Sequence, residues 1–335
     1  MSEENTILFL GDVFPYKPFK FRNNLKAVVN LDCPITSEGE PISGKVNLSV
    51  KKNHLKSIFK TDLLAVSLGN NSIMDYGLDG LMSTINELDR DGIGYFGVNN
   101  PENDDHNPLI IEFNRMKIAF FSVICESTVP LVEFDDFNYL TLLDTEEMAS
   151  KINAVRDSVK RIVIYIHWGE EESSYPSQGD ILTARKLIDS GADIIIGSHA
   201  HAPQPVEKYR NGVIAYNLGN FIMPAFKNTP SYFDEVGTAL SVFSKKLMIW
   251  NRISWGVAID METMETRISK HIFMADRIVA LRTTPLDKYL GLHPHALTES
   301  YEAIVKKHLK KRAFRRKIRN LLNTLHLPAK KYRNV

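Results

Sequence analysis

The chain has 335 residues, 44% of them hydrophobic and 24% charged, with a formal net charge of +1, which is typical of a soluble globular protein with one large domain or two ordinary ones. Its two cysteines, Cys33 and Cys125, lack CxxC or paired-ligand spacing, which argues against a disulfide framework and favours a reducing, cytoplasmic compartment. The acidic first residues and the short apolar run over 7–14 fit neither a signal peptide nor a membrane span.

Apolar runs rich in β-branched residues predict the strands of the first half of the chain. These runs cover residues 7–12, 27–32, 64–68, 93–97, 109–113 and 117–124. Residues 36–53 are rich in Ser, Gly, Pro and Lys and are predicted to form a loop. The spacing of Leu81, Ile85 and Leu88 predicts a helix over 80–91, which Gly92 ends.

The second half of the chain alternates helices with strands. Helices are predicted over 147–159 and 181–188, strands over 161–166 and 193–196, and a hairpin over 255–260 and 265–273. Residues 222–245 are irregular and are predicted to form a lid or an inserted loop. Because no repeat and no Pro- or Ser-rich linker is visible, we predict one compact α/β domain over 1–290 and a separate tail over 291–335.

Three histidines follow the two strands of the second half directly. His167 ends the first strand, and His199 and His201 end the second. Since strands joined by a helix are expected to be parallel neighbours, their carboxyl ends should bring the three imidazoles together. A lone histidine after a strand is more often a surface or hydrogen-bonded core residue, but three of them converging favour a metal site.

Strands of the first half end in carboxylates and an amide. Asp12, Asp32 and Asn71 each follow an apolar strand, and with the histidines they make six candidate ligands. This mixture suits Mn, Fe or Zn rather than Ca, and six ligands are enough for two ions that share a carboxylate. Such a site activates water and holds the oxygens of a phosphoryl group. The chain contains no GxSxG motif and no Walker loop, which would indicate another chemistry.

Several motifs occur together in one order. They are Gly11-Asp12, Asn30-Leu-Asp32, Leu68-Gly-Asn-Asn-Ser-Ile-Met-Asp-Tyr-Gly77, His167-Trp-Gly-Glu-Glu171, Gly197-Ser-His-Ala-His201 and Tyr216-Asn-Leu-Gly-Asn-Phe221. Over residues 5–225 the chain thereby resembles the CapA-type capsule-biosynthesis (poly-gamma-glutamate synthesis) family, whose domain is similar to calcineurin-like metallophosphoesterases.

The resemblance implies an α/β fold, a four-layer α/β/β/α sandwich, with a two-metal centre at the strand ends. It implies six metal ligands, namely Asp12, Asp32, Asn71, His167, His199 and His201, with Asp32 shared between the ions. It also implies that Asp75 and Glu171 support the ligands or face the substrate. For Asp75 the alternative is a cap of the helix near Leu78, and for Glu171 a solvated loop.

The chain departs from the family pattern at three positions. Asp32 stands where the family usually has Glu, and Asn217 stands where it has Ser. Ser72 stands where the family has a His that polarises the substrate or protonates the leaving group. Since a serine does not supply a proton near neutral pH, this position does not provide the acid help that is worth roughly 10²–10⁴-fold. Three explanations stay open: the leaving group needs no acid, another residue such as His54 supplies it, or the domain binds without turnover.

The tail is strongly basic, although the net charge of the whole chain is close to zero. Residues 306–335 contain twelve Lys or Arg and no Asp or Glu, so the other 305 residues carry −11. Apolar residues at helical spacing over 301–327 predict a basic amphipathic helix, which Pro328 ends. Such a helix suits an anionic membrane surface or packing on the body or a partner. The lack of interleaved exposed aromatics counts against nucleic acid.

Two functions follow from these patterns. The first is a hydrolase with two divalent ions, acting on a phosphoester or related bond of a surface polymer, with Asn71 and Ser72 orienting the substrate. The second is a capsule or poly-gamma-glutamate assembly or export factor that keeps the fold without hydrolysis. In both cases we expect a cytoplasmic protein, peripheral at the inner membrane face if the tail binds lipid.

Overall fold

The computed structural model describes residues 2–42, 47–99, 108–129, 139–223, 252–274, 277–280 and 284–285. Within them the strands are β1 (Thr6–Val13), β2 (Lys20–Arg22), β3 (Lys26–Leu31), β4 (Leu63–Ser67), β5 (Gly94–Phe96), β6 (Leu109–Phe113), β7 (Met116–Ile124), β8 (Arg161–Trp168), β9 (Ile194–His199), β10 (Val206–Tyr209), β11 (Gly212–Ala215), β12 (Asn220–Ile222), β13 (Arg252–Asp260), β14 (Thr266–Met274), β15 (Arg277–Ala280) and β16 (Thr284–Pro285). The helices are α1 (Leu55–Phe59), α2 (Gly77–Asp91), α3 (Thr145–Arg156) and α4 (Gln178–Asp189).

These strands form two sheets. The larger runs β2-β15-β14-β13-β1-β3-β4-β5, with β12 beside β1 and β16 beside β14, and its β1, β3, β4 and β5 are parallel. The smaller runs β10-β11-β9-β8-β7-β6, and its β7, β8, β9 and β11 are parallel. The predicted parallel pairing of the strands that carry His167 and His199 is confirmed.

Alternating side chains divide the core into layers. Phe9 and Val28 of the larger sheet pack with Tyr165 and Ile196 of the smaller sheet, and the Tyr165 hydroxyl donates to the Val28 carbonyl at 3.0 Å. The other face of the larger sheet buries apolar residues of α1 and α2. On the smaller sheet α3 contacts β8 and α4 contacts β9. The predicted four-layer α/β/β/α sandwich is therefore confirmed.

Most predicted elements are present with shifted ends. The hairpin is β13 and β14, and the predicted helices over 80–91, 147–159 and 181–188 correspond to α2, α3 and α4. The sequence patterns missed α1 and the strands β2, β10, β11, β12, β15 and β16. Most of 222–245, the domain boundary at 290 and the predicted tail helix over 301–327 lie outside the described residues.

The strand directions bring the carboxyl ends of β1, β3, β4, β8 and β9 to one edge of the sandwich. A register shift in the β1–β3 pairing lies between Phe9 and Asp12. At that point Gly11 passes close to Gly219, the residue before β12. A Cβ added to Gly11 would lie 1.8 Å from the Gly219 carbonyl oxygen. None of the helices in the described part of the chain combines the length and hydrophobicity that a bilayer crossing requires.

Candidate metal centre

One group of predicted ligands comes from β1, the end of β3 and the loop after β9. Asp12, Asp32 and His201 each offer a ligand atom, and these atoms all lie within 4.8 Å of one another. Both carboxylates are buried. His201 Nδ1 lies 3.2 Å from Asp12 Oδ2 and 2.8 Å from Asn220 Oδ1.

A second group joins the two sheets. His167 Nε2 lies 3.0 Å from Asn71 Oδ1 and 3.1 Å from His199 Nδ1. The rings of His167 and His199 meet edge to face at a centroid distance of 4.8 Å, and those of His199 and His201 are 6.3 Å apart. The two groups are therefore neighbours, and the structure brings all six predicted ligands to one edge.

The donor set fits divalent cations of the transition series. The Asn71 side-chain oxygen can only accept a hydrogen bond, and a neutral imidazole has one nitrogen that also only accepts. His167 Nε2 lies within 3.1 Å of both Asn71 Oδ1 and His199 Nδ1. With the proton of each ring on its other nitrogen, the electron pairs of these three atoms face one another without a proton between them. Oxygen and imidazole donors in such a group are those that Mn, Fe and Zn accept.

In the first group, the two buried carboxylates are stabilised by a nearby positive charge. Burial by itself lowers the pKa of His201, but the hydrogen bond to Asp12 and the charges of Asp12 and Asp32 outweigh it and raise that pKa to about 10. The protonated imidazole thus neutralises carboxylates that water does not reach. A divalent cation held by the same residues would neutralise the carboxylates in the same way.

The histidine loop is held in an uncommon backbone conformation. His199 has a φ of 90° and His201 a φ of 55°, in the left-handed region that non-glycine residues rarely occupy. Between them, the Ala200 carbonyl accepts a bond from the Glu172 amide at 2.7 Å. Backbone strain of this kind is concentrated at functional sites, where the surroundings maintain it.

Two asparagines that the sequence analysis did not select hold the carboxylate side of the centre. Asn30 donates to Asp12 Oδ1 at 2.9 Å, and Asn70 donates to Asn30 Oδ1 at 3.1 Å and to the Leu31 carbonyl at 2.8 Å. The Asn70 oxygen accepts from the amide of Ser72 at 3.0 Å. Both lie within the quoted motifs, Asn30 two residues before Asp32 and Asn70 directly before Asn71, and this position was the signal that could have identified them.

The β11–β12 loop supports the first ligand group and was likewise missed. The Gly219 carbonyl accepts from the Asp12 amide at 2.9 Å, and Asn217 Oδ1 accepts from the Gly219 amide at 2.9 Å. The register of β12 places Asn220 beside Asp12, within reach of His201. The Asn217 that departs from the family pattern therefore shapes the turn that holds Asp12.

The three remaining predicted residues lie in different environments. Ser72 is buried beside Asn71, with its Oγ 3.4 Å from Asn71 Oδ1. Asp75 is completely buried, and its carboxylate accepts from the Leu48 amide at 2.6 Å, so it supports the loop that contains Leu48. Its predicted role beside the ligands or the substrate stays a prediction. Its alternative role as a helix cap is wrong, because α2 begins at Gly77 after Tyr76. Glu171 is exposed.

Comparisons with known proteins agree with the motifs. The model of the family "Bacterial capsule synthesis protein PGA_cap" matches residues 12–225. The chain is 27% identical over 181 residues to the capsule biosynthesis protein CapA of Bacillus anthracis, covering 53% of this chain and 44% of the relative. It is 26% identical over 213 residues to the PGA biosynthesis protein CapA of Bacillus subtilis, covering 63% and 56%.

The matched part of each of these two relatives is about half of its length. Among solved structures, a 5'-nucleotidase precursor from Thermus thermophilus aligns with a TM-score of 0.41 at 11% identity, covering 91% of this chain and 59% of that one.

Proposed function

The chain belongs to the PGA_cap family of bacterial capsule synthesis proteins, and from its site we propose a metal-dependent hydrolase that cleaves a phosphoester or related bond in capsule or surface-polymer biosynthesis. The observation that carries the proposal is the convergence of His167, His199 and Asn71 from different sheets, next to the carboxylates of Asp12 and Asp32. A structural core needs no such concentration of buried electron-pair donors.

Each side chain has a stated part in this proposal. Asp12, Asp32 and His201 would hold one divalent ion of the Mn, Fe or Zn class, and Asn71, His167 and His199 would hold a second. When bound, such ions activate water as a nucleophile and stabilise charge on a phosphoryl group. Ser72, beside Asn71, orients the substrate by hydrogen bonding but supplies no proton to the leaving group. The proposed substrates are therefore esters whose leaving group needs little acid help.

The test begins with the metal content of the purified full-length protein. The protein is loaded with Mn and assayed against a panel of phosphomonoesters and phosphodiesters. We expect stoichiometric metal, and turnover that Asp12→Asn and His199→Ala abolish. Asp189→Asn is the matched control, because Asp189 lies on the surface at the end of α4 and pairs with Arg210. A protein that holds no transition metal under any loading condition would overturn the assignment of the site.

A second function, an assembly or export factor without hydrolysis, is favoured by Ser72 itself. In that case the metals maintain the fold of a surface that other components recognise, and no acid is required. Stoichiometric metal without turnover of any ester would support this function and contradict the hydrolase. The hydrolase is preferred because all six candidate ligands lie at one edge of the sandwich, and the acid is the one expected group that this position lacks.

We propose in addition that the basic segment over 301–327 binds an anionic membrane surface from the cytoplasmic side. Each cation near such a surface contributes about 1 kcal/mol, and the apolar stripe adds burial in the interface. The test is sedimentation with vesicles containing anionic lipid, comparing the full chain with a chain lacking 301–335. Equal sedimentation of the two would contradict this part of the proposal and leave the hydrolase untouched.

A further inference from the structure

Ser198 lies between the metal-ligand candidates without being one. It belongs to β9, directly before His199, and the parallel register of β8 and β9 pairs it with His167. Both side chains are buried. The Ser198 hydroxyl oxygen lies 2.9 Å from His167 Nδ1, on the side of the ring away from the convergent donors.

The two nitrogens of His167 therefore face different groups. Nε2 faces Asn71 Oδ1 and His199 Nδ1, while Nδ1 faces the Ser198 hydroxyl. If Nδ1 carries the proton and donates it to Ser198, the Nε2 electron pair is directed at the ligand group. Protonation of Nε2 would place an N–H bond, and rotation of the ring by half a turn a C–H bond, where the ion is expected to bind.

We propose that Ser198 is a positioning residue of the centre, which fixes the orientation of the His167 ring so that Nε2 faces Asn71 and His199. This inference rests on the proposed metal site, in which His167 belongs to the group with Asn71 and His199. A hydroxyl accepts as well as donates, so Ser198 bonds Nδ1 in either protonation form of the ring. The imidazole consequently keeps its orientation in the metal-free protein and needs no rearrangement on loading.

The test compares the full-length protein with Ser198→Ala and Ser198→Thr by two measurements. Calorimetric titration with Zn gives the affinity, and long-range proton–nitrogen NMR gives the protonation pattern of the His167 ring without metal. We expect Ser198→Ala to weaken Zn binding roughly 10- to 100-fold, as the loss of a ligand's hydrogen-bond partner does elsewhere. We also expect it to replace the single His167 pattern by a mixture, and Ser198→Thr to restore both.

Matched controls separate positioning from folding. Ser158→Ala removes a surface serine whose hydroxyl bonds to the Val155 carbonyl, and it should change neither measurement. If Ser198→Ala does not fold, Ser198→Cys replaces it, since a thiol of similar size is a weak hydrogen-bonding group.

The failure of this inference is distinct from the failure of the proposed function. Wild-type Zn affinity and an unchanged His167 pattern in Ser198→Ala would overturn the positioning role while the metal site stands. A wild-type protein that binds no Zn, but whose His167 pattern still changes in Ser198→Ala, would overturn the metal site while the orienting contact stands.

Discussion

At the scale of single residues, Ser72 is the position at which the proposed hydrolysis can be tested most directly. Its amide is fixed by Asn70, and its hydroxyl lies next to Asn71. A side chain at this position is therefore aimed at the ligand edge. A histidine here would provide the proton donor that the related family carries. In the proposed function, a substitution at Ser72 therefore changes the acid catalysis and leaves the six candidate metal ligands in place.

We expect Ser72→His to raise kcat/KM for esters with poor leaving groups by roughly 10²-fold, because general acid catalysis contributes about 10²–10⁴-fold when the donor is well placed. Esters with good leaving groups should gain little. The measurement is the dependence of kcat/KM on leaving-group pKa, with Ser72→Ala as the control that removes the hydroxyl. An equal gain for all leaving groups would contradict acid catalysis as the cause.

His271 predicts a loss of stability in acid. It is buried between Phe21 and Phe221, with ring centroids 5.5 and 5.3 Å away, and burial lowers its pKa to about 4. Between pH 6.5 and 4 the unfolded chain therefore binds a proton that the folded chain does not. Stability falls as the pH falls through this window, by roughly 3 kcal/mol in total at 1.36 kcal/mol per pKa unit.

The check is urea unfolding of the wild type and His271→Leu at pH 7 and pH 5. Relative to the variant, the wild type should lose roughly 2 kcal/mol over this interval, since the variant has no group to protonate there. His54→Leu is the control, because His54 is only partly buried and should show a smaller change. The same difference between wild type and His271→Leu at both pH values would contradict a neutral buried imidazole.

At the scale of elements, the long buried strands and their polar ends could be predicted because one apolar run encodes each of them. The runs that end at Asp12, Asp32 and His167 are continuous in sequence and buried in the fold. The short strands β2 and β12 could not be predicted this way. Each has three residues, and their pairing depends on strands distant in sequence.

The same distinction holds within the site. A ligand on a strand end follows from the local pattern, whereas Ser198, Asn70 and Asn220 act through partners 31, 40 and 19 residues away. Asp75 shows the converse case, because its place in a motif suggested chemistry, and only the structure shows that its carboxylate also supports the loop of Leu48. A motif predicts which residues meet but does not predict which of them carry the reaction.

The packing of β9 against β11 predicts a strict requirement at Gly197. An added Cβ there would lie 1.8 Å from the Tyr216 carbonyl oxygen and 2.6 Å from Trp168 Nε1, which itself donates to that carbonyl. Backbone has to move to admit a methyl group, so we expect Gly197→Ala to cost about 3 kcal/mol or more of unfolding free energy and to displace the histidine loop.

Gly179 is the matched glycine, since it lies in α4 and an added Cβ would meet its nearest atom at 3.5 Å. Gly179→Ala should be neutral or stabilising by about 0.5–1 kcal/mol. Urea unfolding of both variants measures the difference. A Gly197→Ala protein as stable as the wild type would contradict the close approach of the Tyr216 carbonyl to Gly197.

At the scale of the whole molecule, a group of charges joins the layers at the edge away from the metal ligands. Asp193, just before β9, accepts from Arg156 of α3 at 2.7 Å and from Arg161 of β8 at 3.2 Å. Arg161 continues to the Met261 and Glu262 carbonyls after β13, each at 2.7 Å. One carboxylate therefore orients two guanidinium groups, and the second of these ties the smaller sheet to the larger one.

We expect Asp193→Ala to lower the free energy of unfolding by roughly 2–4 kcal/mol, because it removes the carboxylate that pairs with two partly buried arginines and accepts from the Ile162 amide. Asp189→Ala, which removes an exposed partner of Arg210, should cost about 0.5 kcal/mol or less. Because this group lies at the opposite edge, Zn affinity at a temperature well below unfolding should be unchanged in Asp193→Ala. A parallel loss of affinity would mean that the two edges of the sandwich are coupled through the sheets.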